Sequence, residues 1–395
     1  MLIGPKRMKR VAIVCFDAGG GHRAAANALK EAIRARSGWE VGILNTDEVL
    51  APVDPIHRVT GVHGGELYNW SLRRGWTLGS AQVISAMHGV IRLLHSQQVR
   101  LFRESWKAMR PDVVISVIPH FNRALYESLR AEAPATPYVT VVTDLADYPP
   151  HFWFETQDQY FICGSEMAVR QARALGSRAD RIWRVSGMVL HPRFYEPVEA
   201  DRGAERRKIG LDPNVPTGVV MFGGYGSRSM IEVARRIEAA KLRVQLVFLC
   251  GRNLALATRL RAKKLSYPAH VEDFTDRVMH YMWLGDFFIG KPGPGSVSEA
   301  LAMGLPVIVE AGMRTLAQER YNIEWIKEAG VGIPVCRMKD LPGAVTELLT
   351  PAVYASMRGR IQAQKNRAVF EIVDLIDQIF AEHTLPNEEL RHECV

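Results

Sequence analysis

Cysteine is scarce in this sequence: five residues among 395 (15, 163, 250, 336 and 394), scattered and without Cys-x-x-Cys spacing. That excludes a disulfide framework or a zinc site and fits a reducing compartment. Long apolar runs are missing too. The basic opening MLIGPKRMKR is followed only by VAIVCF, residues 11–16, before a charged, glycine-rich turn. Such a run is too short for a signal-peptide core or a membrane span, and no other run approaches bilayer-crossing length. Negative charge is in deficit. With 42 Asp and Glu against 50 Lys and Arg, the net charge of +8 points to an anionic partner: nucleic acid, a nucleotide ligand or a membrane surface. What remains is a globular balance, 47% hydrophobic and 23% charged, in a chain too long for one core. Two domains are expected.

The most informative stretch is 290–304, GKPGPGSVSEALAMG. A short apolar strand, 286–289 (DFFI), meets a Lys-Pro-Gly-Pro-Gly turn that opens directly into a helix. Small residues at Gly293, Gly295 and Ser296 let the backbone approach a ligand closely. The unpaired first-turn amides, at the positive end of the helix dipole, then make an anion site, most often for phosphate. A plainer reading competes. Ser296-x-x-Glu299 has the spacing of a capping box, in which Glu299 folds back on the N-cap amide. Local chemistry leaves both open.

Strand, small-residue loop and helix alternate along the chain. Residues 11–16 read as a buried strand, followed by a glycine loop and a helix to about residue 36. Gly19-x-Gly21-x-x-Ala24 matches the dinucleotide fingerprint, which expects an acidic residue about 20 positions on. That residue is missing, since Asp47 lies 28 past Gly19. His22 sits in the first turn of this helix, either as a solvated helix-start residue or as part of a site. Further strands are expected at 41–44, 111–117, 138–142 and 159–163. Proline and charge mark 186–216 as an interdomain linker. Alternation then resumes with strands at 217–222, 244–250, 271–275, 286–289, 305–310 and 332–335, and helices 351–362 and 369–382 close the chain. This order predicts two parallel α/β sheets in series, with ligands gathered at the strands' carboxyl ends in the cleft between them.

The pattern breaks between 52 and 106. Residues 62–110 carry seven Lys or Arg against two Glu, interleaved with Tyr68, Trp70, Trp76, Phe102 and Trp106. Basic residues with interfacial aromatics suit an anionic bilayer surface. A core-covering helical insertion and a base-stacking nucleic-acid face are the alternatives.

Six motifs in order carry a resemblance: Gly19-Gly-Gly-His22-Arg-Ala, Val142-Thr-Asp144-Leu, Gly164-Ser-Glu166, Cys250-Gly-Arg-Asn253, Lys291-Pro-Gly-Pro-Gly-Ser296-Val-Ser-Glu299-Ala and Gln318-Glu319-x-x-Asn322. Together they resemble the GT-B glycosyltransferases of the monogalactosyldiacylglycerol synthase type and, more distantly, the peptidoglycan N-acetylglucosaminyltransferase. The similarity runs from about residue 10 to 366, and Glu66-Leu-Tyr-Asn-Trp70 resembles that family's acceptor and membrane region.

The resemblance implies two Rossmann-like domains: residues 1–188 for acceptor and membrane, and 189–365 for the UDP-sugar, with 366–395 packing back on the first. It implies an inverting transfer of a hexose, galactose or glucose, from UDP-galactose or UDP-glucose to diacylglycerol. The donor side falls on Gly223, Gly224, Gly226 and Ser227 and on Lys291, Gly293, Gly295 and Ser296 for the diphosphate. Glu299 falls at the ribose, Gly251, Arg252, Asn253 and Phe274 at the uracil, and Gln318, Glu319 and Asn322 near the sugar. Gly20, Gly21, Tyr68, Trp70, Arg73, Arg74 and Trp76 fall on the acceptor and membrane side. His22 is the candidate base, with Asp144 as competitor or orienting partner.

No Asp-x-Asp pair of the kind that holds Mn²⁺ in other glycosyltransferases occurs, so neither metal nor cofactor is expected. Helix-start amides can meet the leaving charge instead. Pro292 stands where the family has a small residue, but before the helix, so the first-turn amides are expected to survive. The expected location is the cytoplasm, peripherally attached to the inner face of the membrane, with no nucleic-acid partner. A soluble UDP-sugar epimerase or hydrolase, and a non-catalytic nucleotide-sugar-binding protein, are the competing functions.

Overall fold

The structure, a computed structural model, describes residues 8–17, 20–55, 57, 61, 80–148, 151–312 and 315–384. Tyr68, Trp70, Arg73, Arg74 and Trp76, the expected membrane contacts, lie outside the described residues.

Buried apolar runs form two parallel six-stranded sheets. The first contains β1 (Arg10–Cys15), β2 (Glu40–Asn45), β3 (Val113–Ser116), β4 (Tyr138–Val142), β5 (Tyr160–Cys163) and β6 (Ile182–Arg184), in the order β2-β1-β3-β4-β5-β6. The second contains β7 (Thr217–Met221), β8 (Gln245–Leu249), β9 (Ala269–Glu272), β10 (Phe287–Gly290), β11 (Val307–Glu310) and β12 (Gly332–Val335), in the order β12-β11-β10-β7-β8-β9. Strand order reverses beside β1 in the first sheet and between β7 and β10 in the second. Loops leaving the carboxyl ends diverge at such points and open a crevice. The reversal in the second sheet brings the turns after β7 and β10 together, far apart though they are in sequence.

Two strands differ from expectation. β6 was not anticipated: with three residues, IWR, and one exposed end, it has too little apolar length to register. β9 runs 269–272 rather than 271–275, because its residues are only half-buried and periodicity marks its ends poorly.

The last described helix, Ala368–Thr384, belongs to the first lobe. Val369, Ile372, Val373, Ile376, Ile379 and Phe380 are buried in the same core as β1 and the helix Gly21–Ser37. Phe380 meets Trp39 edge-on at 4.7 Å, and the Lys9 ammonium lies 3.9 Å from the Phe380 ring. The two chain crossings between lobes are stitched together. Asn366 Nδ2 donates to the Met188 carbonyl (2.9 Å), and the Arg367 amide to Ser186 Oγ (2.7 Å). Among the described residues no helix is long and apolar enough to cross a membrane.

Candidate active site

The turn after β10 starts a helix at Pro294–Ala302, with Gly293 as N-cap and Pro294 in the first helical position. This corrects two expectations. The helix begins three residues before the capping-box reading places it. Ser296 is therefore inside the first turn, where its Oγ turns back to the Gly293 carbonyl (3.3 Å), and Glu299 lies too far on to reach the N-cap amide. The first turn has also lost a donor, because Pro294 has no N–H. The amides of Gly295 and Ser296 remain, and the first intrahelical bond is Val297 N–H to the Gly293 carbonyl (3.1 Å).

Glu299, freed from capping, sits in a recess where desolvation alone raises its pKa to about 7. A carboxyl without a compensating charge is ready to accept a ligand's hydroxyl donors. Asn322 is fully buried behind the turn, where its Nδ2 donates to the Pro292 carbonyl (2.7 Å). It braces the turn from behind, with its amide spent on backbone where a sugar contact was expected.

Lys291 and Glu319 form the floor. Lys291 Nζ donates to Glu319 Oε1 at 2.6 Å, with the carboxylate almost wholly buried. A Cβ at Gly223 would lie 3.3 Å from Lys291 Cε, and one at Gly293 would lie 3.4 Å from the same carbon and 3.5 Å from Glu319 Oε1. Both glycine turns therefore converge on one ammonium. Gly223 has φ 76° and Gly226 φ 59°, the left-handed region that only glycine adopts freely. Gly251, φ 57°, is packed so closely that an added Cβ would lie 2.2 Å from the Gly224 carbonyl.

Asn253 is consumed internally. Its Nδ2 donates to the Tyr225 carbonyl (3.2 Å) and its Oδ1 caps Leu256 N–H (3.0 Å), so it ties the two turns together instead of presenting a side chain to the uracil. Arg252 lies over the exposed Phe274 ring, 4.2 Å from its centre. Ser227 Oγ donates to Ser229 Oγ (3.3 Å), which donates on to Glu310 (3.1 Å).

In the first lobe, Gly20 takes φ 86° as N-cap of the helix Gly21–Ser37, and an added Cβ at Gly20 or Gly21 would meet open space. His22 in its first turn bonds through Nδ1 to the Val117 carbonyl (2.9 Å), with Thr143 Oγ1 at 3.1 Å. A carbonyl only accepts, so Nδ1 carries the proton and Nε2 keeps its lone pair. Burial lowers the His22 pKa to about 4, so the ring is neutral at physiological pH. Asp144 does not orient His22. Its Oδ2 accepts from Trp153 Nε1 (2.9 Å). Burial raises its pKa to about 7 against that bond, Glu319 and Asp147 add to the rise, and Lys291 opposes it. Glu319 and Lys291 belong to the second lobe, so charges of that lobe reach Asp144.

Sequence reasoning missed several members of this neighbourhood. Trp153 and Val117 carry no motif of their own, and Thr143 lies inside Val142-Thr-Asp144-Leu with no role expected of it. Phe152 packs between His88 (4.8 Å, stacked) and His120 (4.5 Å), and those two imidazoles share a hydrogen bond of 2.9 Å. No local signal links histidines 32 residues apart.

Residues 22–189 match the family model for monogalactosyldiacylglycerol (MGDG) synthase, and 219–379 match the glycosyltransferase family 28 C-terminal domain. Monogalactosyldiacylglycerol synthase 1 of Arabidopsis thaliana is 28% identical over 402 residues, covering 96% of this chain and 73% of that one. The spinach (Spinacia oleracea) enzyme of the same name is 27% identical over 398 residues, with 95% and 74% covered. Among solved structures, MurG of Acinetobacter baumannii superposes with a TM-score of 0.55 at 12% identity, covering 94% of this chain and 99% of that one. The glycosyltransferase SnogD of Streptomyces nogalater superposes with a TM-score of 0.59 at 17% identity, covering 94% and 100%. Two parallel sheets, paired glycine turns and both family matches agree: the fold is GT-B, and the chain pairs a monogalactosyldiacylglycerol synthase domain with a glycosyltransferase family 28 C-terminal domain.

Proposed function

We propose that the protein transfers a hexose, galactose by preference, from its UDP conjugate to diacylglycerol at a membrane surface, with inversion. The observation that carries this reading is the pair of glycine turns packed against the part-buried Lys291–Glu319 ion pair, with the buried Asp144 carboxyl held by Trp153 in the other lobe. The Gly295 and Ser296 amides, the turn 223–227 and Lys291 receive the diphosphate, and Glu299 receives the ribose hydroxyls. Arg252 and Phe274 border the uracil, with Gly251 shaping the backbone beside it. Gln318 and Glu319 meet the sugar.

Asp144 is the better-matched base, because proton transfer is most effective when the base titrates near the working pH. Its carboxylate takes the acceptor hydroxyl proton as that oxygen attacks the anomeric carbon. The bond from that carbon to the β-phosphate oxygen breaks, and the charge on UDP is met by amide dipoles and the Lys291 ammonium. Neutral His22, with Nδ1–H committed to the Val117 carbonyl, keeps an unprotonated Nε2 and is the competing acceptor for that same proton.

The membrane contact extends to the helix Ser80–Leu93, where Met87, Val90 and Leu93 are 38%, 42% and 83% exposed at helical spacing, with Arg92 exposed beside them. Apolar side chains flanked by cations suit the interface of an anionic bilayer. The test is a donor screen with UDP-galactose, UDP-glucose and UDP-N-acetylglucosamine against diacylglycerol in vesicles, read by product mass. A hexosyl-diacylglycerol product is expected, most with UDP-galactose; free sugar or an epimerised donor as the sole product would overturn the reading.

A further inference from the structure

Asp147 lies outside the groups assigned above, yet its side chain is wholly buried. Its Oδ1 accepts three backbone N–H bonds, from Tyr148 (2.9 Å), Phe152 (2.9 Å) and Trp153 (3.3 Å). The Gln171 side chain clamps the same residue from the helix Glu166–Ala174. It accepts from the Asp147 amide (2.8 Å) and donates to the Asp147 carbonyl (3.0 Å). Oδ2 is buried without a hydrogen bond, and His151 Nδ1 lies 3.7 Å from it. A buried carboxylate collecting several amides stabilises one loop geometry strongly, because bonds to a charged acceptor are about twice as strong as neutral ones.

That loop geometry is what the cleft uses. Trp153, placed by Asp147 through its amide, donates its indole N–H to Asp144 Oδ2 and lies 6.0 Å from the His22 ring. Phe152, placed the same way, carries the contacts to His88 and His120.

We infer that Asp147 is a positioning residue for the transfer reaction, acting through Trp153 to fix the orientation of the Asp144 carboxyl. The inference rests on the proposed role of Asp144. A loop held only by neutral contacts would let the indole leave, and Asp144 would turn toward solvent. Asp147 also acts as a nearby negative charge on Asp144, alongside Glu319 and against Lys291. His151 and the three amides face Asp147 itself.

The test compares wild type, Asp147→Asn, Trp153→Phe and the double variant. Steady-state transfer to diacylglycerol vesicles is measured from pH 5 to 9, and UDP binding by calorimetry. Asp147→Asn is expected to lower kcat at least tenfold, to leave UDP affinity within twofold, and to move the acidic limb of kcat/KM to lower pH. Trp153→Phe keeps the ring and removes the N–H; it should lower kcat similarly, and the double variant should lose no more than the worse single one. Wild-type kcat with an unmoved limb in Asp147→Asn overturns the inference, as does an equal loss of kcat and UDP affinity, the mark of a residue that serves folding alone. Should wild type itself transfer no hexose to diacylglycerol, the functional reading fails first, and the two failures are distinguishable.

Discussion

Glu299 and Asp144 are both held where their charge is disfavoured, which is useful to a site and harmful to a fold. The folded pKa of Glu299, about 7, lies above the unfolded value, so the unfolded chain gives up its proton first as pH rises. Stability is unaffected at pH 4, falls between about 4.5 and 7, and stays reduced above that. Glu299→Gln is therefore expected to stabilise the protein at pH 8, by up to about 3 kcal/mol at 1.36 kcal/mol per unit, with no gain at pH 4. UDP affinity should fall at the same time. Urea unfolding at the two pH values checks it, and equal gains at both would contradict the account. The two base candidates separate by titration. With Asp144 as base the acidic limb of kcat/KM falls near pH 7, whereas a limb near 4 would identify His22. Asp144→Asn should lower kcat by about 10²–10⁴, the range typical of a lost general base.

At the scale of elements, the turns after β7 and β8 are interlocked by backbone. Arg252 N–H donates to the Gly224 carbonyl (2.9 Å), which is why Gly251 has no room for a side chain. Gly251→Ala would combine a left-handed φ with that clash. Its expected effect is a fall in melting temperature and a loss of UDP affinity of at least tenfold, read by calorimetry; wild-type affinity would show that the two turns do not hold the donor together. The turns themselves were legible, because a glycine cluster between a buried strand and a helix has few structural alternatives. Their internal wiring was not. Ser296-x-x-Glu299 fits a capping box by spacing, but Pro294, with its fixed φ and missing N–H, starts the helix earlier. Asn253 and Asn322 look like ligand contacts in a motif, and only packing shows that their amides serve the backbone. The Asp147–Trp153–Asp144 chain was illegible for another reason: its bonds are made by a loop without periodicity, and what the carboxylate grips is backbone, which leaves no mark on residue type.

At the scale of the whole molecule, the proposed membrane contact rests on the charge and exposed apolar surface of the first lobe. Anionic vesicles are expected to raise activity over neutral ones, and the gain should shrink with added salt as the Debye length shortens. Val90→Asp with Leu93→Asp should weaken co-sedimentation with vesicles and leave UDP binding intact. Unchanged sedimentation would remove the helix Ser80–Leu93 from the contact.

The return of the helix Ala368–Thr384 to the first lobe has a consequence for biosynthesis. Val369, Ile372 and Phe380 fill the groove beside β1 and the helix Gly21–Ser37, so the earliest-made half of the protein leaves the ribosome with an oily trough uncovered. It stays uncovered until residues 368–384 have emerged. A nascent chain stopped short of residue 368 should be held by chaperones or aggregate, while one that includes this helix closes the trough itself.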